Sequence, residues 1–202
     1  MEKKKNLTKK IVITLSSMLL CLLLIGVSVY AAISQSATLN NTISVNTSGQ
    51  AKAIVTAYET SVTGTTAVTA VPTTEPTWGS AVYTKAETED NGTHDLTPIV
   101  FSQTAGKNVY AYKVEVQNKS TVAVTVAITT TAESNAEIDV YCGEEYTTLE
   151  KLANGEGVNF SKSNVATDAT VTYYILVCAN TALADMTAAS STEFDINVVV
   201  NA

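Results

Sequence analysis

Two stretches of the chain alternate apolar and polar residues with a period of two. In NVYAYKVEVQN, Tyr110, Tyr112, Val114 and Val116 fall on one side, and Ala111, Lys113 and Glu115 on the other. In TVAVTVAITT, Val122, Val124, Val126 and Ile128 oppose Thr121, Ala123, Thr125 and Ala127. Successive side chains of a strand point to opposite faces, so the pattern predicts half-buried strands. Asn118-Lys119-Ser120 separates the two stretches. That break suits either a hairpin or a crossover between two sheets.

Further strands are expected on the same grounds. AEIDVYC turns Ile138, Val140 and Cys142 inward, and TEFDINVVV does the same with Phe194, Ile196, Val198 and Val200. ATVTYYILVC (169–178) is apolar on both faces at its centre, the mark of a central, well-covered strand. QAKAIVTAYETSV (50–62) reads as a strand. Residues 33–48 are polar with weak alternation: a flexible segment or a first, edge-like strand. Residues 63–97 hold Pro72 and Pro76 and read as a long excursion with a short strand near Ser80 to Tyr83. Residues 144–164 carry Asn154-Gly155 and Glu156-Gly157 and read as loop with one helical turn at most. The count of about seven to nine strands predicts an all-β fold, an antiparallel, jelly-roll-like β-sandwich.

A different pattern opens the chain. Residues 11–32, IVITLSSMLLCLLLIGVSVYAA, contain no charge and follow Lys3, Lys4, Lys5, Lys9 and Lys10. A basic start, an apolar centre and a small-residue end make a secretory signal, with cleavage expected between Ala31 and Ala32. The run is also long enough to cross a bilayer, so an uncleaved membrane anchor is the alternative. Leu20 before Cys21 lacks the small residue that a lipidation signal needs. The expected division is therefore 1–31 signal or transmembrane helix, 32–48 polar segment or edge strand, and 49–202 sandwich domain.

The charge changes sign after the leader. Seven lysines (12 less those 5) stand against 18 acidic residues (19 less Glu2), and there is no arginine. A formal charge of −11 repels nucleic acid and excludes it as a partner. Export brings the chain to an oxidising compartment, where Cys142 and Cys178 are either one disulfide or two buried thiols acting as small hydrophobes.

Catalytic candidates are few. His94 is the one histidine, in the acidic, turn-rich EDNGTHDLTP, with no G-x-S-x-G nucleophile motif. A zinc site of the H-E-x-x-H kind needs two histidines. Glu87, Glu89, Asp90 and Asp95 offer hard oxygens for calcium, but only fragments of a calcium-loop spacing. No catalytic residue, cofactor or metal ligand is assigned, and a non-enzymatic protein is expected. Trp78, Tyr141 and Tyr146, with Glu144 and Glu145, form the candidate patch for a glycan or protein ligand.

GVSVYAAISQSATLNNTISVNTSGQAKAIV (26–55) resembles the start of the TasA/camelysin family of exported Gram-positive surface proteins. The matching residues are Gly26, Tyr30, Ala31, Ala32, Ile33 and Ser34, then Ala37-Thr38-Leu39. VYAYKVEVQNKSTVAVTVAITT resembles the family's strand–turn–strand unit. Gln35 and Ser36 stand where the family usually has an acidic residue. The resemblance implies a jelly-roll sandwich, cleavage by a SipW-type signal peptidase, and a cell-surface or biofilm-matrix role. Partners would be further copies of the chain or other matrix proteins, with residues 32–46 either a strand donated to a neighbour or, the reading preferred for this chain, folded back into its own sheet or disordered. Some members are described as peptidases, but this chain lacks a histidine ligand set for that activity.

Overall fold

The structure is a computed structural model that describes residues 41–87, 90–186, 190–192 and 194–202. The leader, the cleavage site at Ala31 and Ala32, Cys21, residues 33–40 and Glu89 lie outside the described residues.

Among the described residues, thirteen strands follow in chain order. They are β1 (Asn41–Ser48), β2 (Ala53–Thr63), β3 (Tyr83–Lys85), β4 (Gly92–Leu96), β5 (Ile99–Phe101), β6 (Lys107–Asn118), β7 (Val124–Glu133), β8 (Ile138–Gly143), β9 (Glu150–Lys151), β10 (Gly157–Val165), β11 (Thr170–Ala179), β12 (Ser190–Thr192) and β13 (Asp195–Asn201). A single 3-10 turn, Tyr146–Thr148, precedes β9. Nine strands have five residues or more, which matches the expected count. The other four, β3, β5, β9 and β12, are too short to leave an alternation in the sequence.

Two sheets form the sandwich, one of order β10-β7-β13-β1-β4 and one of order β3-β2-β6-β11-β8-β9. β5 and β12 pair separately. The inward residues of both sheets share one core. Ile43, Val126, Ile128, Phe194, Ile196 and Val198 come from the first sheet; Val55, Tyr112, Val114, Val140, Ile175 and Val177 come from the second. Each such side chain contributes about 1.5–3 kcal/mol by leaving water. Tyr112, fully buried, stacks on Phe194 with ring centroids 4.3 Å apart. β11 lies between β6 and β8 and is buried on both faces, as its sequence predicts.

Three expectations need correction, and one open alternative is decided. β6 and β7 belong to different sheets, so Asn118-Lys119-Ser120 is the crossover of the two alternatives. Asn118 organises it: its buried amide donates to the carbonyls of Val122 and Val165, both at 2.9 Å, and accepts from the Ser120 N–H at 2.8 Å. β1 is an interior strand, not an edge, antiparallel to β4 and parallel to β13, with Ile43 opposite Ile196. The parallel pair departs from a purely antiparallel sheet. Its start is fixed by Asn41, whose Oδ1 accepts from the Phe194 N–H at 3.1 Å.

The expected excursion at 63–97 contains β4, and its short strand falls at 83–85 instead of 80–83. β4 is GTHDL, too polar and short to show alternation. Lastly, β10 is a nine-residue edge strand where a loop is expected. Edge strands face water on much of their surface, so their alternation is weak. Gly157 opens β10 because of a close approach: a Cβ there would stand 2.8 Å from the Thr130 carbonyl. Gly155, at φ 82°, is the true turn glycine.

Candidate functional site

The outward-facing residues of β6, β8 and β11 are those out of phase with the core. Val109 and Ala111 on β6, Tyr141 on β8, and Leu176 and Cys178 on β11 form a second apolar cluster. It is covered by the 3-10 turn, through Tyr146 and Leu149, and by the segment between β2 and β3, through Val68, Val71 and Trp78. A backbone hydrogen bond from Val68 N–H to the Ala179 carbonyl, 2.8 Å, ties that segment to β11.

The structure thus brings Trp78, Tyr141 and Tyr146 into one neighbourhood, and Tyr174 of β11 joins them. The Tyr174 ring lies 6.2 Å from Trp78 and 5.6 Å from Tyr146, the latter nearly perpendicular at 87°. The placement corrects the expected patch in one respect. Tyr141 and Tyr146 are buried, so they wall the site and do not offer a surface. The Tyr141 hydroxyl donates to Asp139 at 3.3 Å, and Asp139 also accepts from Asn180 and Lys151, both at 2.8 Å. Burial, then the Asp139 charge, pushes the Tyr141 hydroxyl up to about 12. Burial likewise pushes Tyr146 up to about 12.

The half-buried part of the site joins Trp78 of the expected patch with residues outside it. Tyr58 of β2, Lys113 of β6 and Tyr174 of β11 stand side by side in one cross-strand row. Lys113 Nζ sits 4.2 Å above the Tyr58 ring centre and 5.6 Å from that of Trp78, close enough for cation–π attraction. Lys113 also pairs with Glu115 at 3.1 Å, and Glu115 accepts from the Tyr58 hydroxyl at 3.4 Å. The Trp78 indole N–H donates to Glu75 at 2.6 Å. Burial raises the Tyr174 hydroxyl above its ordinary value, with the Glu75 charge and hydrogen bond adding to it. The result is one ammonium between the Tyr58 and Trp78 rings, with Tyr174 beside Trp78 and two carboxylates at the rim: groups suited to stacking and hydrogen bonding. Lys113 and Tyr174 were findable in the sequence, since each is out of phase with a core residue beside it. Trp78 is in the expected patch, but Glu75 was not findable, since irregular backbone carries no phase.

The other candidates lie elsewhere. His94 on β4 stacks on Tyr83, with centroids 5.2 Å apart and planes 15° from parallel. Glu87 pairs with Lys52 at 3.5 Å. Among the described residues no group of three or more His, Cys, Asp or Glu side chains is placed to hold a metal. No helix among them is long and apolar enough to cross a membrane.

The two thiols do not pair. Cys142 and Cys178 are both free and buried. Cys142 pairs opposite Ile175 and faces the inner core, whereas Cys178 is out of phase with Ile175 and faces the outer cluster. Side chains on opposite faces of a sheet point apart and cannot meet without the backbone moving. Of the two expectations, buried thiols holds and the bridge does not. Burial, then the Asp139 charge, pushes the Cys178 thiol up to about 12.

No protein-family model and no curated protein matches the chain. Solved structures show slight likeness. One is the carbohydrate-binding module TmCBM61 in complex with beta-1,4-galactotriose: 11% identical, TM-score 0.23, 55% of this chain and 72% of that one covered. Another is the major pilin protein (T-13) from Streptococcus pyogenes: 10% identical, TM-score 0.19, covering 80% and 96%. At such scores neither bears on what this chain does.

Proposed function

We propose that this chain is an exported, non-enzymatic structural protein of the cell surface or extracellular matrix, and that copies join by exchanging β1. The observation that carries this reading is the position of β1. It is an interior strand, yet it precedes the rest of the domain in the chain and is joined to it by a short corner. That corner contains Gly49, at φ 66°, and a hydrogen bond from Ala51 N–H to the Ser48 carbonyl. Its fully buried aliphatic side chains are Ile43 and Val45, worth about 1.5–3 kcal/mol each. A copy of β1 from a neighbour would make the same contacts between β13 and β4, so exchange costs little beyond opening the corner. The acidic exported part and the secretory-type leader support an extracytoplasmic location.

The test is sedimentation and electron microscopy of the cleaved form over a range of concentration. Length is expected to grow with concentration, and Val45→Asp to abolish growth. A monomer at every concentration would overturn the reading. N-terminal sequencing of protein from the medium is expected to begin at Ala32.

A second reading, a glycan- or protein-binding surface module, is favoured by Tyr58 and Trp78 around Lys113, with Tyr174 beside Trp78. It predicts saturable ligand binding that Trp78→Ala removes while the unfolding temperature holds. Binding unchanged in that variant would exclude this site.

A further inference from the structure

A cleft of about 410 Å³ opens on the other side of the six-stranded sheet, between β10 and the β8–β9 margin. It exists because β9 has only two residues, so the sheet ends early opposite the nine-residue β10. Phe160 and Tyr173 line it, 4.3 Å apart, together with Cys142. Glu144 and Glu150 line its polar side. Lys162 pairs with Glu144 at 2.6 Å. Glu150 is exposed and has no cation within ion-pair distance among the described residues. β10 is the last strand of its sheet, and no described strand pairs along its outer side.

We propose that β10 and this cleft bind an extended peptide segment carrying a basic residue: the segment adds to the free edge of β10, and its lysine or arginine side chain enters the cleft beside Phe160 and Glu150. A strand laid along an edge gains backbone hydrogen bonds and sends alternate side chains inward. The inward residue opposite Phe160 stands at the mouth of the cleft. There an ammonium or guanidinium meets aromatic rings and an unneutralised carboxylate. Clefts of roughly 300–1,000 Å³ with apolar floors and few polar groups are the size range of specific sites. An anionic side chain would meet Glu150 and find Lys162 and Lys151 already engaged, with Glu144 and Asp139. A second copy of the chain is disfavoured as the occupant, since it would bring a formal charge of −11 after the leader against a surface of the same sign.

Calorimetric titration of the full-length chain in neutral detergent tests this with the synthetic peptide TVTKTVT, its acetyl-lysine form, and n-butylammonium. The lysine peptide is expected to bind saturably, and the acetylated form about fivefold or more weakly. Glu150→Gln, an exposed and isosteric change, is expected to weaken the lysine peptide about fivefold. Phe160→Leu should weaken it while circular dichroism and unfolding temperature hold. No binding of TVTKTVT, equal binding of the acetylated peptide, or wild-type affinity in Glu150→Gln overturns the proposal. Binding of n-butylammonium as tightly as the peptide overturns the strand addition. None of these outcomes depends on whether β1 exchanges between copies.

Discussion

The six-stranded sheet is buried on both faces, but the two faces are closed differently. Its inner face meets another sheet. There Tyr112, Val114, Val140, Ile175 and Val177 pack against Ile43, Phe194, Ile196 and their neighbours, and the surface is almost wholly apolar. Its outer face meets a segment without regular structure and one 3-10 turn. There Leu176, Cys178 and Tyr141 are covered, yet Asp139 and Lys113 sit among them, held by Asn180, Lys151, Glu115 and two aromatic rings. Two sheets close over each other along many rows at once, which leaves little room for charge; Lys85 of β3, opposite Val55 and fully buried, donates to the Ala86 carbonyl at 3.4 Å. A strap closes over single side chains, so polar groups survive if each is bonded. Polar and aromatic groups therefore collect on the outer face and at the open margin of the inner one.

The sharpest way to probe that difference is to cut one large side chain from each face. Tyr112→Ala should lower stability by about 3–5 kcal/mol, because two sheets cannot settle into the hole. Leu176→Ala should cost less, about 2 kcal/mol, because the covering segment can move inward. Urea unfolding of both variants checks this, and equal losses would mean that the strap is as rigid as a sheet.

Alkaline pH separates the faces next. Cys178, Tyr141 and Tyr146 are all pushed up to about 12 in the folded state, from ordinary values of 9.0 for the thiol and 10.0 for the hydroxyls. Above those ordinary values the unfolded chain releases protons that the folded one retains, so stability falls with pH. The stabilisation from these groups is complete below about pH 9 and is lost as pH rises through 12. On the inner face, burial raises the Tyr112 and Tyr173 hydroxyls too, and there two whole sheets enclose them. Trp78 fluorescence should thus change before far-ultraviolet circular dichroism on raising the pH. The reverse order would place the weak face inside.

Asp139→Ala comes third. It strands the donors of Tyr141, Asn180 and Lys151, with an expected loss of about 1–3 kcal/mol. Lys151→Met in the same background should recover part of that loss. The smallest effect is none: a reductant should leave the unfolding temperature unchanged, since the two thiols lie on opposite faces. A drop on reduction would contradict the register of β8 with β11.

Much of the sandwich was readable from phase alone. β6, β7, β8, β11 and β13 each keep strict alternation or a doubly apolar centre, since each has one or two faces that water does not reach. β4 and β10 were missed because edge strands need no such pattern. The candidate site was half readable. Trp78, Tyr141 and Tyr146 stand out as aromatic residues near polar ones, but the two tyrosines are buried and only Trp78 is half-exposed. Burial of a tyrosine on an outer face depends on what lies over it, and the cover here arrives from residues more than sixty positions away in the chain.

Local alternation, the charge change after the leader and the shortage of catalytic residue types were properties of the amino-acid order by itself, because each depends only on neighbours along the chain. The place of β1 between β13 and β4, the separation of the two cysteines and the gathering of Tyr58, Lys113, Trp78 and Tyr174 were decided only in three dimensions. Strand order and register arise from contacts between distant segments, and a one-residue shift in register would turn every one of those side chains to the opposite face.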